Sequence, residues 1–174
     1  MKRILLAMII AALAVTTHAQ VYLGGGIRFW DNNDDNRRTI SVTPEIGYRV
    51  SKRFAFGAGI GYEYSNLQGS HSDTYSVKPY LRHYIYSIKG LELFWEGTFE
   101  FCYYDPSKGK SAYCIGIGAK PGIGYAVNEH FTISAYIGFF GYRHCEAGFA
   151  HPEYEPGLGL SITNNLTFCF DYYF

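Results

Sequence analysis

Residues 40–50 read Ile40-Ser41-Val42-Thr43-Pro44-Glu45-Ile46-Gly47-Tyr48-Arg49-Val50. The even positions are apolar and the odd ones are polar or glycine, which is the period of two by which a strand sends successive side chains to opposite faces. The same dyad recurs in 21–30, 54–64, 75–87, 91–103, 113–125, 131–139 and 158–174, so eight segments share it. In none of the eight does the apolar parity hold an Asp, Glu, Lys or Arg. The opposite parity carries Arg28, Glu45, Arg49, Glu63, Lys78, Arg82, Glu92, Glu96, Glu100, Lys120 and Asp171. No stretch after residue 19 keeps a helical period, and the chain is predicted to be all-β.

Which parity faces inward decides the class of protein. A soluble barrel, such as a lipocalin-like pocket protein, would hide its bulky apolar parity and cover itself with the other one. Here that other parity is dominated by glycines, among them Gly24, Gly26, Gly47, Gly57, Gly59, Gly61, Gly116, Gly118, Gly122, Gly124 and Gly138. Glycines cannot clothe a protein in hydration, but they fit a crowded interior beside a few long charged side chains. The large residues are therefore expected to face lipid, as in a transmembrane barrel. Composition agrees: 48% of residues are hydrophobic, 18% aromatic and only 17% charged, against roughly 25% charged in ordinary soluble domains.

The start of the chain has the pattern of a removable leader. Lys2 and Arg3 precede the apolar run Ile4 to Val15, and Thr17-His18-Ala19 ends in small residues, so 1–19 is expected to be a signal peptide and 20–174 the barrel. The apolar run is too short for a helix that needs about 20 residues to cross hydrocarbon. Without Lys2 and Arg3 there remain 13 basic and 15 acidic residues, a net charge of −2, which offers no footprint for nucleic acid.

Connections alternate in length. Short ones fall at Ser51-Lys52, Lys89-Gly90 and Asn128-Glu129; long polar ones at 31–38, 65–74, 104–110 and 143–156. With both termini on the periplasmic side, short turns face the periplasm and four long loops face outside. An internal echo at a spacing of 77 supports the layout: Pro44 to Val50 followed by Phe54 matches Pro121 to Val127 followed by Phe131. Tyr48, Phe54, Tyr125, Phe131, Tyr172 and Phe174 would form a lower aromatic girdle, and Phe29, Tyr62, Tyr64, Tyr75, Tyr103 and Tyr113 an upper one.

On the two Pro-x-Ile-Gly-Tyr turns, the Pro79-Tyr80-Leu81-Arg82-His83-Tyr84 strand and the final Leu166-Thr167-Phe168-Cys169-Phe170-Asp171-Tyr172-Tyr173-Phe174, the chain resembles the outer-membrane β-barrel domain family of the small eight-stranded OmpA/OmpX type. The resemblance covers 20–174. It implies an eight-stranded antiparallel up-and-down transmembrane barrel in the outer membrane of a Gram-negative bacterium. It also implies that Leu166, Phe168, Phe170, Tyr172 and Phe174 form the assembly signal read by the barrel-assembly machinery, after delivery by periplasmic chaperones. Members include structural, adhesive and resistance-related proteins, so the resemblance fixes no activity. The expectation is a monomer without cofactor or metal, of structural or surface-interaction kind, touching membrane lipids and any external ligand through its loops.

Candidate chemistry is sparse. A turn centred on Lys89, with Gly90 as the left-handed residue of a three-residue loop, sets Arg82 against Glu96 and Lys78 against Glu100 in the lumen. These charge pairs read as a self-neutralising plug, the alternative being a narrow pore, since eight strands leave an interior just wide enough for side chains. A rim enzyme acting on lipid would need His71, Ser72 and Asp73, or His144 and His151 with Glu153, to converge. His144-Cys145-Glu146 and His151 lack paired metal-ligand spacing. Of the four cysteines, Cys102 and Cys114 share the lumen parity and a common height, and are expected to bridge; Cys145 and Cys169 are read as lying at different heights.

Overall fold

The computed structural model describes residues 20–32, 37–67, 69–149, 151, 154 and 156–174. Residues 1–19, expected to be a leader, the centre of the 31–38 loop and Glu153 lie outside them. Eight strands follow in order: β1 (Gln20–Asn32), β2 (Arg37–Arg49), β3 (Phe54–Leu67), β4 (Ser70–Ile88), β5 (Leu91–Pro106), β6 (Ala112–Ala126), β7 (Phe131–Cys145) and β8 (Gly157–Tyr173). Each pairs antiparallel with the next, and β8 pairs with β1 to close an up-and-down barrel. Closure removes the open sheet edge, so most backbone N–H and C=O groups of the wall can pair without water.

The facing follows the dyad. Ile60 and Ile117 are each 62% exposed on the outer wall, whereas Arg82 is 1% and Asp171 0% exposed inside. Pro44, Pro79 and Pro121 have no N–H to give a ladder. Each sits beside an interruption: between Val42 and Glu45 against β3, between Val77 and Tyr80 against β5, and between Ala119 and Gly122 against β7.

Inside, rings and glycines interlock. Tyr22 stands opposite Gly47, Tyr80 opposite Gly57 and Phe94 opposite Gly122. A Cβ placed on any of these three glycines would run into the facing ring. The inward parity is thus shared between glycines and the rings they admit, with Tyr84, Tyr136 and Tyr173 completing the packed core.

Three local departures from the expected pattern matter. The β4–β5 turn is a two-residue turn with Ile88 paired to Leu91 and both Lys89 (φ 47°) and Gly90 (φ 84°) left-handed, the type I′ geometry that matches strand twist. It is not the expected three-residue loop; a register shift between Tyr84 and Tyr86 then restores the Arg82 to Glu96 alignment. In β7 the register shifts between Ile137 and Phe139 at Gly138 (φ 74°), which turns Phe139 inward and Phe140 outward. Finally, 65–74 is mostly ladder rather than loop: Ser65 pairs with Ser72 and Leu67 with Ser70. Asn66 Oδ1 accepts from the Gly69 N–H at 3.2 Å just before the tip closes.

Candidate functional site

The lumen is filled in layers. At the short-turn end Arg49 clamps both carboxylate oxygens of Glu92 at 2.7 and 3.2 Å, with its guanidinium 4.0 Å from the Tyr84 ring centre. Above it, Arg82 reaches across the barrel from β4. Its Nη2 and Nε lie 3.1 and 3.2 Å from Glu96 Oε2 on β5; Nη1 meets Asp171 Oδ2 on β8 at 3.2 Å, and Nη2 meets Glu45 Oε1 on β2 at 3.3 Å. Arg82 also donates to the Tyr136 hydroxyl on β7, which donates onward to Glu96 at 2.9 Å. Tyr80 donates to Glu45 at 3.2 Å and shares a 2.7 Å hydrogen bond with Tyr22 on β1. Six of the eight strands thus meet in one network, which charge-assisted geometry makes stiff.

A second charged layer lies toward the loops. Glu100 Oε1 accepts from Lys120 Nζ at 2.9 Å and Oε2 from Arg143 at 3.2 Å. Arg143 stacks 3.8 Å over the inward-turned Phe139. Lys78 makes no ion pair with Glu100, contrary to the expected pairing: it falls beside the ladder gap at Pro79, and both oxygens of Glu100 are already held from β6 and β7. Its Nζ lies 5.6 Å from the Tyr154 ring.

Three described residues after β7 stand at the mouth. Phe149, His151 and Tyr154 pack on one another, Phe149 also meets Tyr104 at 5.5 Å, and His151 Nε2 lies 2.7 Å from Glu63 Oε1. Burial in this flap pushes the Tyr154 phenol well above its usual range, so it serves as a neutral hydroxyl. Between flap and Arg82 network lies a cavity of about 340 Å³, lined by residues that include Ser76, Lys78, Thr98, Lys120, Arg143 and Tyr154.

Of the residues considered for chemistry, His71 stacks on Tyr64 and Asp73 accepts from the Tyr62 hydroxyl at 2.7 Å. Ser72 lies between them in a strand and so points to the other face. His144 pairs with Ile115 and is exposed on the outside. The trio does not converge; the histidine that meets a carboxylate is His151. Among the described residues no three His, Cys, Asp or Glu side chains gather as a metal site.

The cysteine pairing differs from expectation. Cys114 stands opposite Cys102 on one side and opposite Cys145 on the other, and its disulfide is with Cys145, Cα to Cα 4.0 Å. Reading 143–156 as loop misplaced Cys145. Strand β7 continues through it after the Gly138 irregularity, which brings it level with Cys114. Cys102 and Cys169 are buried thiols. The composition of the plug is also only partly visible in the sequence: Tyr22, Tyr80, Tyr136 and Arg143 belong to it, and the charge pattern alone does not single them out.

A closed eight-stranded antiparallel wall, apolar outside and charged within, is the arrangement of a membrane barrel. The chain has the outer-membrane β-barrel fold. It is similar to a major outer membrane protein from Thermus thermophilus, with a TM-score of 0.57 and 11% identity over 90% of this chain and 100% of that one. Neisserial surface protein A gives a TM-score of 0.46 and 14% identity over 89% of this chain and 91% of that chain. No protein-family model matches the sequence, and no curated protein matches it.

Proposed function

We propose that this outer-membrane-type barrel is a sealed, monomeric, cofactor-free protein of the Gram-negative outer membrane whose outward loops make surface contacts. The observation that carries the reading is the Arg82 network, which ties β4 to β2, β5, β7 and β8 across the lumen through ion-paired side chains that are at most 12% exposed. Stability and function are then divided between parts: the wall and plug hold the shape, and the loop ends meet the outside. Export by way of residues 1–19, delivery by periplasmic chaperones and insertion through the terminal Leu166, Phe168, Phe170, Tyr172 and Phe174 belong to the same proposal.

Planar-bilayer recording of refolded protein tests the seal. The expected result is a flat trace, and regular conductance steps from wild-type protein would favour the narrow-pore alternative. A rim enzyme is the competing reading, and the His151 to Glu63 contact of 2.7 Å is the observation in its favour. Incubation with outer-membrane lipid followed by lipid mass spectrometry separates the two. Unchanged lipid is expected, whereas a product lost in His151→Asn would establish catalysis.

A further inference from the structure

The described charges of the lumen lie in layers. Around Arg82 one cation meets three carboxylates, those of Glu45, Glu96 and Asp171. In the layer above, Lys78, Lys120 and Arg143 share the cavity wall with Glu100, whose two oxygens are taken by Lys120 and Arg143. Among the described residues Lys78 has no ion pair or hydrogen bond there; it feels the charge of Glu100 without a salt bridge to it, and its Nζ lies 5.6 Å from the Tyr154 ring. Glu63 also lines the cavity, but it is held at the rim by His151. Among the described residues the cavity is thus bordered on the loop side by Lys78, a cation outside any salt bridge, and below by the carboxylates of Glu45 and Glu96. A concave site with low-dielectric walls concentrates such a field on whatever occupies it.

We propose that this cavity binds a small oxyanion, a carboxylate or phosphate group, anchored by Lys78 and flanked by Lys120 and Arg143. The volume of about 340 Å³ falls within the range of roughly 300–1,000 Å³ typical of small-molecule sites. Ser76 supplies a further hydroxyl on the same wall, whereas the Thr98 hydroxyl is given to the Pro79 carbonyl and that of Tyr154 to Cys102. The carboxylates around Arg82 stop an anion from descending further, so the site is a blind end reached from the loop side. The flap of Phe149, His151 and Tyr154 is positioned to cover it. The inference rests on the sealed-lumen reading, and the two fail separately: conductance steps would overturn the seal, whereas the binding data below judge the anchor.

The test is calorimetric titration of inorganic phosphate, and separately of acetate, into the refolded barrel in zwitterionic detergent. Saturable binding is expected, at one site per chain. Lys78→Gln removes one charge-assisted contact and should weaken it by about tenfold or more. Glu100→Gln releases Lys120 and Arg143 from their competing carboxylate and should tighten it, so the proposal does not hang on one variant. Lys52→Gln, on an exposed turn, should change nothing. Micelles doped with lysophosphatidic acid distinguish the source: Lys78-dependent binding of the doped micelles alone assigns a lipid headgroup, and binding of phosphate in lipid-free detergent assigns a soluble anion. Absence of saturable binding of any of these probes, or binding that is equal in wild type, Lys78→Gln and Glu100→Gln, overturns the proposal.

Discussion

Replacing Arg82 by Met is expected to destabilise the barrel by about 3–5 kcal/mol, the usual consequence of removing one partner from a buried ion pair. Arg82 is 1% exposed and lies between 3.1 and 3.3 Å from carboxylate oxygens of Glu45, Glu96 and Asp171. Met fills much of the same volume, so the loss measures charge rather than a void. Three carboxylates would remain with the Tyr80 and Tyr136 hydroxyls as donors, and Asp171, at 0% exposure, would be the most costly to leave charged. Proton uptake by one or more of the three caps the loss. Adding Glu96→Gln and Asp171→Asn removes two of the three stranded charges and should recover much of the loss. Urea titration of barrels folded into phospholipid vesicles, followed by the gel mobility of unheated samples, reads all three states. A loss below about 1 kcal/mol, the range of exposed surface pairs, or a triple variant no better than the single one, would refute the reasoning.

Ile117→Arg should cost about 2–4 kcal/mol if that outward position lies near the bilayer centre, with Glu129→Arg on an exposed short turn near zero in the same titration. Gly47→Ala puts a Cβ into the Tyr22 ring and should cost about 1–3 kcal/mol by overpacking. Gly59→Ala, whose Cβ would meet nothing nearer than 3.7 Å, should cost markedly less. In Cys145→Ser, Cys102 and Cys114 face each other across the β5–β6 ladder, where opposed Cα atoms lie about 4.5–5.5 Å apart and within bridging reach. Mass mapping of non-reduced, alkylated protein should then find a Cys102 to Cys114 bridge; alkyl label on both would contradict it.

Strand number and facing were legible because a strict dyad with no charge on one parity leaves a strand little freedom of register; the Arg82 to Glu96 alignment came out as expected because the shorter turn and the bulge offset each other. What escaped lies where the dyad breaks. Phe139-Phe140 places two aromatics in succession, and only a bulge at Gly138 lets one face in and the other out; the same irregularity carries Cys145 to the height of Cys114. Ile85-Tyr86 is a second such break, and there the bulge compensates for a turn one residue shorter than expected. Tyr22, Tyr80 and Phe94 were on the inward parity all along, but their partnership with Gly47, Gly57 and Gly122 is a cross-strand property that needs the register first. The inward fold of His151 and Tyr154 depends on loop packing, for which strand periodicity carries no signal.

The orientation of the wall is tested most directly by Trp95, which is 46% exposed on the outer face of β5 between His83 and Pro121. Changing Trp30 to Phe leaves Trp95 as the sole tryptophan of the chain. In vesicles with brominated acyl chains its fluorescence should be strongly quenched, and aqueous iodide should leave it unaffected. Emission indifferent to brominated lipid, or readily quenched by iodide, would contradict an apolar wall facing the membrane.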